Sequence, residues 1–298
     1  MSIFKLPIMT SKRIAFQGTI GANSNLACSN FYPDFEAKAL PTFYDVFKAV
    51  ESGEVEYGMI PLENSYAGRV SEIHNLLQDN KVSIVAEHFL PIIHNLAAVE
   101  GTKLEDIKEI LSHPQALMQC QNNLRDLNVK LREFSNTAEA AKFVASQGDK
   151  TKAALCSKMA AKSHGLNIIK ENLQDSGNGN MTIFIVISKN AADPDPEVSQ
   201  VITTLLFTIR NIPGSLYKAL GGFATNGVNI VKLESYIPGG ISHQAKFFIT
   251  VEGHPNQKNV GLALEEVGFF SKNVKLLGIY YADKSRFVEQ NVEQNSAQ

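Results

Sequence analysis

From Arg13 to Ser188 the chain alternates short apolar runs of strand length with stretches of helical character, and this constrains the fold more than any other feature. Strands are predicted over residues 13–17, 56–60, 82–90, 96–99, 109–112, 153–156 and 182–188. Helices are predicted over 22–31, 43–52, 70–79, 104–107, 114–127, 137–147, 158–164 and 166–173. Strands separated by helices need crossover connections, so the expected product is α/β, with largely parallel sheets carrying helices on their faces. The helix at Thr137 opens Ser135-Asn136-Thr137-Ala138-Glu139, N-cap chemistry ahead of strong helix formers.

Asn190-Ala191-Ala192-Asp193-Pro194-Asp195-Pro196-Glu197 breaks this pattern, because its prolines oppose both helix and ladder. Beyond it, strands are predicted over 201–209, 228–236, 244–252 and 274–282, with helices over 215–226 and 258–269. Gly227 stands where a C-cap glycine belongs, and Pro238-Gly239-Gly240 reads as a turn. The order βαββαβ describes a ferredoxin-like α+β unit, a four-stranded antiparallel sheet with two helices on one face. The expected organisation is an α/β domain over 12–190, a linker over 191–199, the βαββαβ unit over 200–284 and a disordered tail over 285–298.

Composition excludes several function classes. A formal net charge of −2, with no dense Lys/Arg stripe, argues against nucleic acid as a partner. No apolar run approaches the roughly 20 residues of a membrane span. The first residues lack the charged leader and apolar core of a signal peptide, so the expected location is cytoplasmic. Cys28, Cys120 and Cys156 are widely spaced and read as small core residues in a reducing compartment. The seven histidines show no zinc-type pairing, so no metal is expected.

Two polar stretches end predicted strands: Gln17-Gly18-Thr19-Ile20-Gly21-Ala22-Asn23-Ser24 and Pro61-Leu62-Glu63-Asn64-Ser65. Ligands of open α/β sheets bind beyond the carboxyl ends of strands, and small hydroxyl, amide and backbone donors there suit a carboxylate. Neither stretch carries a Walker lysine, which disfavours a nucleoside triphosphate. The competing reading is a pair of ordinary turns rich in Gly, Asn and Ser.

Taken with three further segments, these stretches resemble prephenate dehydratase over nearly the whole chain. The segments are His113-Pro114-Gln115-Ala116-Leu117, the helix opening at Thr137, and Asn180-Met181-Thr182-Ile183-Phe184. The resemblance implies two lobes around a cleft, like a periplasmic binding protein, followed by an ACT regulatory domain. It implies decarboxylative dehydration of prephenate to phenylpyruvate without a cofactor, in phenylalanine biosynthesis. Thr182, Asn64 and Ser65 inherit catalytic roles, with Thr182 as donor to the departing hydroxyl. Gly21, Ala22, Asn23, Ser24, Glu63, Arg69, Gln115, Thr137 and Phe184 inherit substrate binding. Glu63 is read as fixing local geometry ahead of acting as a base, and His113 as a strand-end residue ahead of a proton donor.

Ile183 departs from the family, which has arginine between the threonine and the phenylalanine. Arginine there would supply a fixed, charged fork for a carboxylate. Three readings are open: another cation takes over, with Arg69 first; strand-end amides suffice with weaker activity; or catalysis is lost and the chain is an aromatic-acid sensor. A transporter's solute-binding protein is a more remote reading. The ACT resemblance implies L-phenylalanine as allosteric inhibitor, held by Asn211, Gly214, Ser215, Leu216, Asn229, Glu234 and Ser235 of a homodimer or homotetramer. Tyr236 and Ile237 depart from that domain's usual pattern. Prephenate and its transaminated analogue arogenate are not distinguished.

Overall fold

The computed structural model describes residues 12–175, 179–198, 200–237 and 245–287. Contacts divide the chain into two compact units. One contains Met1–Met59 and Ile93–Gly177; the other contains Ile60–Ile92 and Asn178–Gln298. The strand Tyr57–Asn64 contributes its first residues to one and its last to the other.

In the first unit, Arg13–Gln17 pairs in parallel with Glu36–Leu40 and with Tyr57, Gly58 and Met59. Helix Phe43–Ser52 connects two of these strands. It is bounded by a Thr42–Asp45 capping box and by Gly53 in the left-handed conformation, as its sequence dictates. A second, mixed sheet orders Asn167–Lys170, Asn95–Ala98, Lys152–Cys156, Glu109–Ser112 and Lys130–Glu133. Its two faces are covered by apolar clusters built around Leu96, Ile110 and Leu155, and around Leu111, Ala141 and Val144.

Several expectations are corrected here. Residues 166–173 contain the strand Asn167–Lys170 rather than a helix, because β-branched Ile168 finds a ladder partner in Ala97. The helix expected over 114–127 is two, Pro114–Gln119 and Gln121–Arg125, broken at Cys120. Strands Glu36–Leu40 and Lys130–Glu133 carried no apolar signature, since they lie at sheet edges and hold their place by backbone pairing. All three cysteines are buried, and desolvation pushes each thiol up to about 12, which leaves no reactive thiolate.

In the second unit, Met181–Ser188 runs antiparallel to Ser83–Pro91, and Gly68–Arg69 folds back on Glu63 and Asn64. The C-terminal strands Val201–Ile209, Ile230–Tyr236, Lys246–Glu252 and Ser271–Tyr281 form one antiparallel sheet. Helices Ser215–Thr225 and Lys258–Phe270 cover one face over Leu205, Phe207, Phe247 and Ile249. The expected Pro238 turn lies outside the described residues. Val201–Ile209 is buried along nearly its whole length because both faces of this central strand are covered.

The other face of that sheet lies on helix Ser71–Asp79 and strand Ser83–Pro91. A Cβ at Gly278 would overlap the Ile84 carbonyl, so the two backbones meet directly. Lys275 Nζ donates to the carbonyls of Leu77, Gln78 and Asn80 at 2.8, 2.9 and 2.8 Å, satisfying the helix C-terminus. His74 packs at a tilt against Tyr236 and edge-on to Phe248. Residues 285–287, expected in a disordered tail, instead belong to the 3-10 turn Lys284–Phe287. Arg286 from that turn makes a bidentate pair with Glu87 at 2.7 and 2.6 Å.

Glu87 is 3% exposed, so removing its partner strands a charge. Arg286→Ala should lower unfolding free energy by about 3 kcal/mol in urea titrations, the usual cost of breaking a buried pair from one side. A loss below half that would show Glu87 to be compensated by other groups.

Two carboxyls at this interface also carry a pH signature. Burial pushes Glu234 upward, but His74 and Lys232 outweigh it and lower the carboxyl from 4.5 to about 2. Burial likewise pushes Asp283 upward, but His88, Ser285 and the Phe89 amide lower it from 3.8 to about 2. A depressed carboxyl stabilises fully above its unfolded value and loses that contribution as pH falls through the folded one. The urea midpoint should therefore fall between pH 4.5 and about 2, and less steeply in a Glu234→Gln, Asp283→Asn variant. Equal slopes for variant and wild type would reject this assignment.

Candidate functional site

Asn64 ends the strand Tyr57–Asn64, and its side chain organises the polar residues of the second unit. Its Oδ1 accepts from the amides of Tyr66 and Ala67, both at 3.0 Å. With the oxygen turned to two N–H groups, the amide nitrogen faces the opposite way. It donates to Asn180 Oδ1 at 2.9 Å, Met181 O at 3.1 Å and Thr182 Oγ1 at 3.0 Å. Two hydrogens serve three acceptors, so one is shared.

Ser65 fastens the same junction. Its amide donates to Met181 O at 2.9 Å, its hydroxyl donates to Gly179 O at 2.9 Å, and it accepts from Met181 N at 3.0 Å. The three residues expected to carry catalysis are therefore bonded together or through one neighbour. Thr182, 8% exposed, accepts from Asn64 through one lone pair. Its own hydrogen remains available to donate. Asn180, buried directly before this segment, completes the group and was not singled out from sequence.

Period-2 alternation places Ile183 on the face opposite Thr182 and Phe184, paired with Phe89. Phe184, expected at the substrate, is buried in the core at 1% exposure. Arg69, the expected substitute cation, donates Nη1 to Ser235 O at 2.8 Å. Glu63 pairs with Lys232 of the C-terminal sheet. Both are thus engaged by the strand Ile230–Tyr236, which sequence separation concealed.

The first unit holds another group around Gly21. This residue has φ of +90°, and a Cβ there would lie 2.9 Å from Ala160 Cα and 3.6 Å from Ala138 Cβ. Its amide donates to Asn25 Oδ1 at 3.0 Å, and its carbonyl accepts from Ser157 Oγ at 3.3 Å. Gly21 thereby meets the first turns of helices Thr137–Gln147 and Lys158–Ser163. Ala22 starts helix Asn23–Phe31, whose first turn has no side-chain cap and no acid, and which places Asn23 and buried Ser24 at its N-terminus. The buried Thr19 hydroxyl has no partner among the described residues. Amides of this kind, without competing acids, suit a carboxylate. Ser157, an N-cap the sequence reading missed, belongs to this group. His113 caps helix Pro114–Gln119 by accepting from Gln115 N at 3.3 Å, a structural role.

The expected effector residues lie at the start of helix Ser215–Thr225 and in or just before the strand Ile230–Tyr236. Gly214, with φ of +77°, precedes helix Ser215–Thr225, and the Ser215 hydroxyl is buried without a partner among the described residues. Asn211 lies exposed in the preceding turn, while Leu216 packs partly into the core. Asn229 is exposed and accepts Glu252 N through its carbonyl. Glu234 instead meets Lys232 at 2.8 Å and His74 at 2.9 Å, and Ser235 meets Arg69.

A family model described as prephenate dehydratase matches residues 14–192. A Komagataeibacter europaeus protein named bifunctional N-acyl-homoserine lactone acylase/prephenate dehydratase is 40% identical over 92% of this chain and 97% of its own. An Arabidopsis thaliana protein named arogenate dehydratase/prephenate dehydratase 1, chloroplastic, is 35% identical over 92% of this chain and 73% of its own. The structure of Arthrobacter aurescens prephenate dehydratase in complex with L-Phe is similar with a TM-score of 0.83 and 26% identity, covering 96% of this chain and 99% of that one.

The close approach at Gly21 can be measured against Gly53, which shares a positive φ but has open space where a Cβ would stand. Gly53→Ala should cost about 1 kcal/mol of stability, and Gly21→Ala about 2 kcal/mol more, by urea unfolding. Equal costs would show that helix Lys158–Ser163 yields freely.

Proposed function

The chain belongs to the prephenate dehydratase family of carbon–oxygen lyases, and from that premise we propose that it converts prephenate to phenylpyruvate, water and carbon dioxide. The ring carboxylate leaves as carbon dioxide, its bonding pair enters the ring, and the ring aromatises as the para carbon–oxygen bond breaks. Hydroxide is a poor leaving group, so a donor aimed at it lowers the barrier. The observation that carries this reading is the Asn64–Thr182 hydrogen bond, which leaves the threonine hydrogen free to donate. An unperturbed hydroxyl is a weak acid, so Thr182 acts by hydrogen-bond donation and the departing hydroxide takes its proton from solvent.

The helix openings around Gly21 support binding of a carboxylate without the family arginine. Arg69 is a weaker candidate for that role because it bonds Ser235. The βαββαβ unit, with the buried Ser215 hydroxyl at a helix start, supports inhibition by L-phenylalanine, and the Arthrobacter complex supports the same ligand. The outer strands Ile230–Tyr236 and Ser271–Tyr281 support pairing of copies into a homodimer or homotetramer. The setting would be phenylalanine biosynthesis in the cytoplasm; among the described residues no helix is long and apolar enough to cross a membrane.

The Komagataeibacter relative is also named an acylase. Acyl transfer needs a nucleophile beside its base. The Ser65 and Ser157 hydroxyls instead bond backbone groups, so the geometry favours dehydration.

Purified protein given prephenate, with arogenate in parallel, should release phenylpyruvate or phenylalanine respectively from the accepted substrate. L-Phenylalanine should suppress this turnover. Thr182→Val should lower kcat by about 100-fold with little change in KM, as for loss of one oxyanion-type donor. Wild-type inactivity on both acids would favour the sensor reading, and full activity of Thr182→Val would remove the threonine from the mechanism.

A further inference from the structure

Lys232 is 12% exposed and lies in the strand Ile230–Tyr236 of the C-terminal sheet. Its ammonium pairs with Glu63 and sits 2.8 Å from Glu234 Oε1. Glu63 directly precedes Asn64 and pairs with Arg69 across a two-rung ladder, in which Asn64 faces Gly68. Arg69 in turn donates to Ser235 O at 2.8 Å. One C-terminal strand thus grips both sides of the hairpin that ends in the Asn64–Ala67 turn.

That turn supplies the two amides that orient the Asn64 side chain, and Asn64 then orients Thr182. Lys232 also separates two carboxylates that would otherwise repel across a partly shielded gap. We propose that Lys232 is a positioning residue, acting through Glu63 to hold Asn64 in register with Thr182 and so making strand Ile230–Tyr236 the mechanical link from the C-terminal domain to the reacting centre. The kinetic part of this proposal rests on the dehydratase reading. A hydrogen bond at 3.0 Å has little slack, and small displacements at a reacting centre cost rate rather than affinity.

Lys232→Met removes the charge and keeps the stem, while Lys232→Arg keeps the charge. In the Met variant kcat on prephenate should fall about ten-fold with KM changed by less than about two-fold, and Arg should restore most of the loss. Adding Glu63→Gln to Lys232→Met should cost less than Glu63→Gln costs in the wild type, because both act through one contact. Hydrogen exchange supplies a readout independent of turnover. The Ser65, Tyr66, Ala67 and Met181 amides should exchange about ten-fold faster in Lys232→Met, while the amides of Val201–Ile209 keep their protection. Unchanged exchange at those four amides would overturn the proposal. So would a uniform rise across the chain, which marks a merely structural role, or a Lys232→Met kcat equal to that of a wild type that turns over prephenate. A wild type inactive on prephenate would refute the dehydratase reading alone, and the exchange pattern would still decide the positioning role.

Discussion

The bond from the Asn64 side chain to the Thr182 hydroxyl is the contact on which the polar cluster of the second unit depends. A side-chain amide has a donor end and an acceptor end, and here both are used. The Tyr66 and Ala67 amides claim the oxygen, so the nitrogen is aimed at the start of strand Met181–Ser188. Ser65 then ties the same two segments through backbone groups. A hydroxyl held this way has little rotational freedom, which is what preorganised donation requires.

Electrostatics gives the C-terminal sheet its seat. Cations of the sheet and of the turn that follows it find carbonyls or carboxylates of residues 60–92: Lys275 at a helix C-terminus, Arg286 on Glu87, and Lys232 on Glu63. Each contact is partly or wholly shielded from water, so each is specific and each is costly to break from one side. Between them Gly278 lets the Ile84 backbone approach, which no side chain would permit. The sheet face therefore combines direct backbone approach with a few obligatory charges, and it carries a buried hydroxyl group of its own in Thr204, Thr250 and Tyr280.

Much of this was legible in the sequence. Helix Phe43–Ser52 and strand Val201–Ile209 have the expected bounds because caps and apolar runs act locally. The βαββαβ order followed from the same local signals. Strands Glu36–Leu40 and Lys130–Glu133 escaped because an edge strand can be polar on both faces and still be held by its neighbour's backbone. The strand Asn167–Lys170 was hidden in a stretch whose apolar spacing fits helix and strand alike, and only its partner Asn95–Ala98 settles the choice.

The site divides along the same line. Sequence alone determined that Asn64, Ser65 and Thr182 stand at strand ends beside small polar residues, since strand periodicity and turn chemistry are short-range. It also determined that Ile183 and Thr182 point to opposite faces. Tertiary structure alone decided which side chains meet. It bonded Asn64 to a threonine 118 positions away, sent Phe184 into the core, and gave Glu63, Arg69 and Glu234 to contacts with the C-terminal sheet or the helix beneath it. Pairings of that kind depend on chain closure over long separations, and no local pattern of residues encodes them.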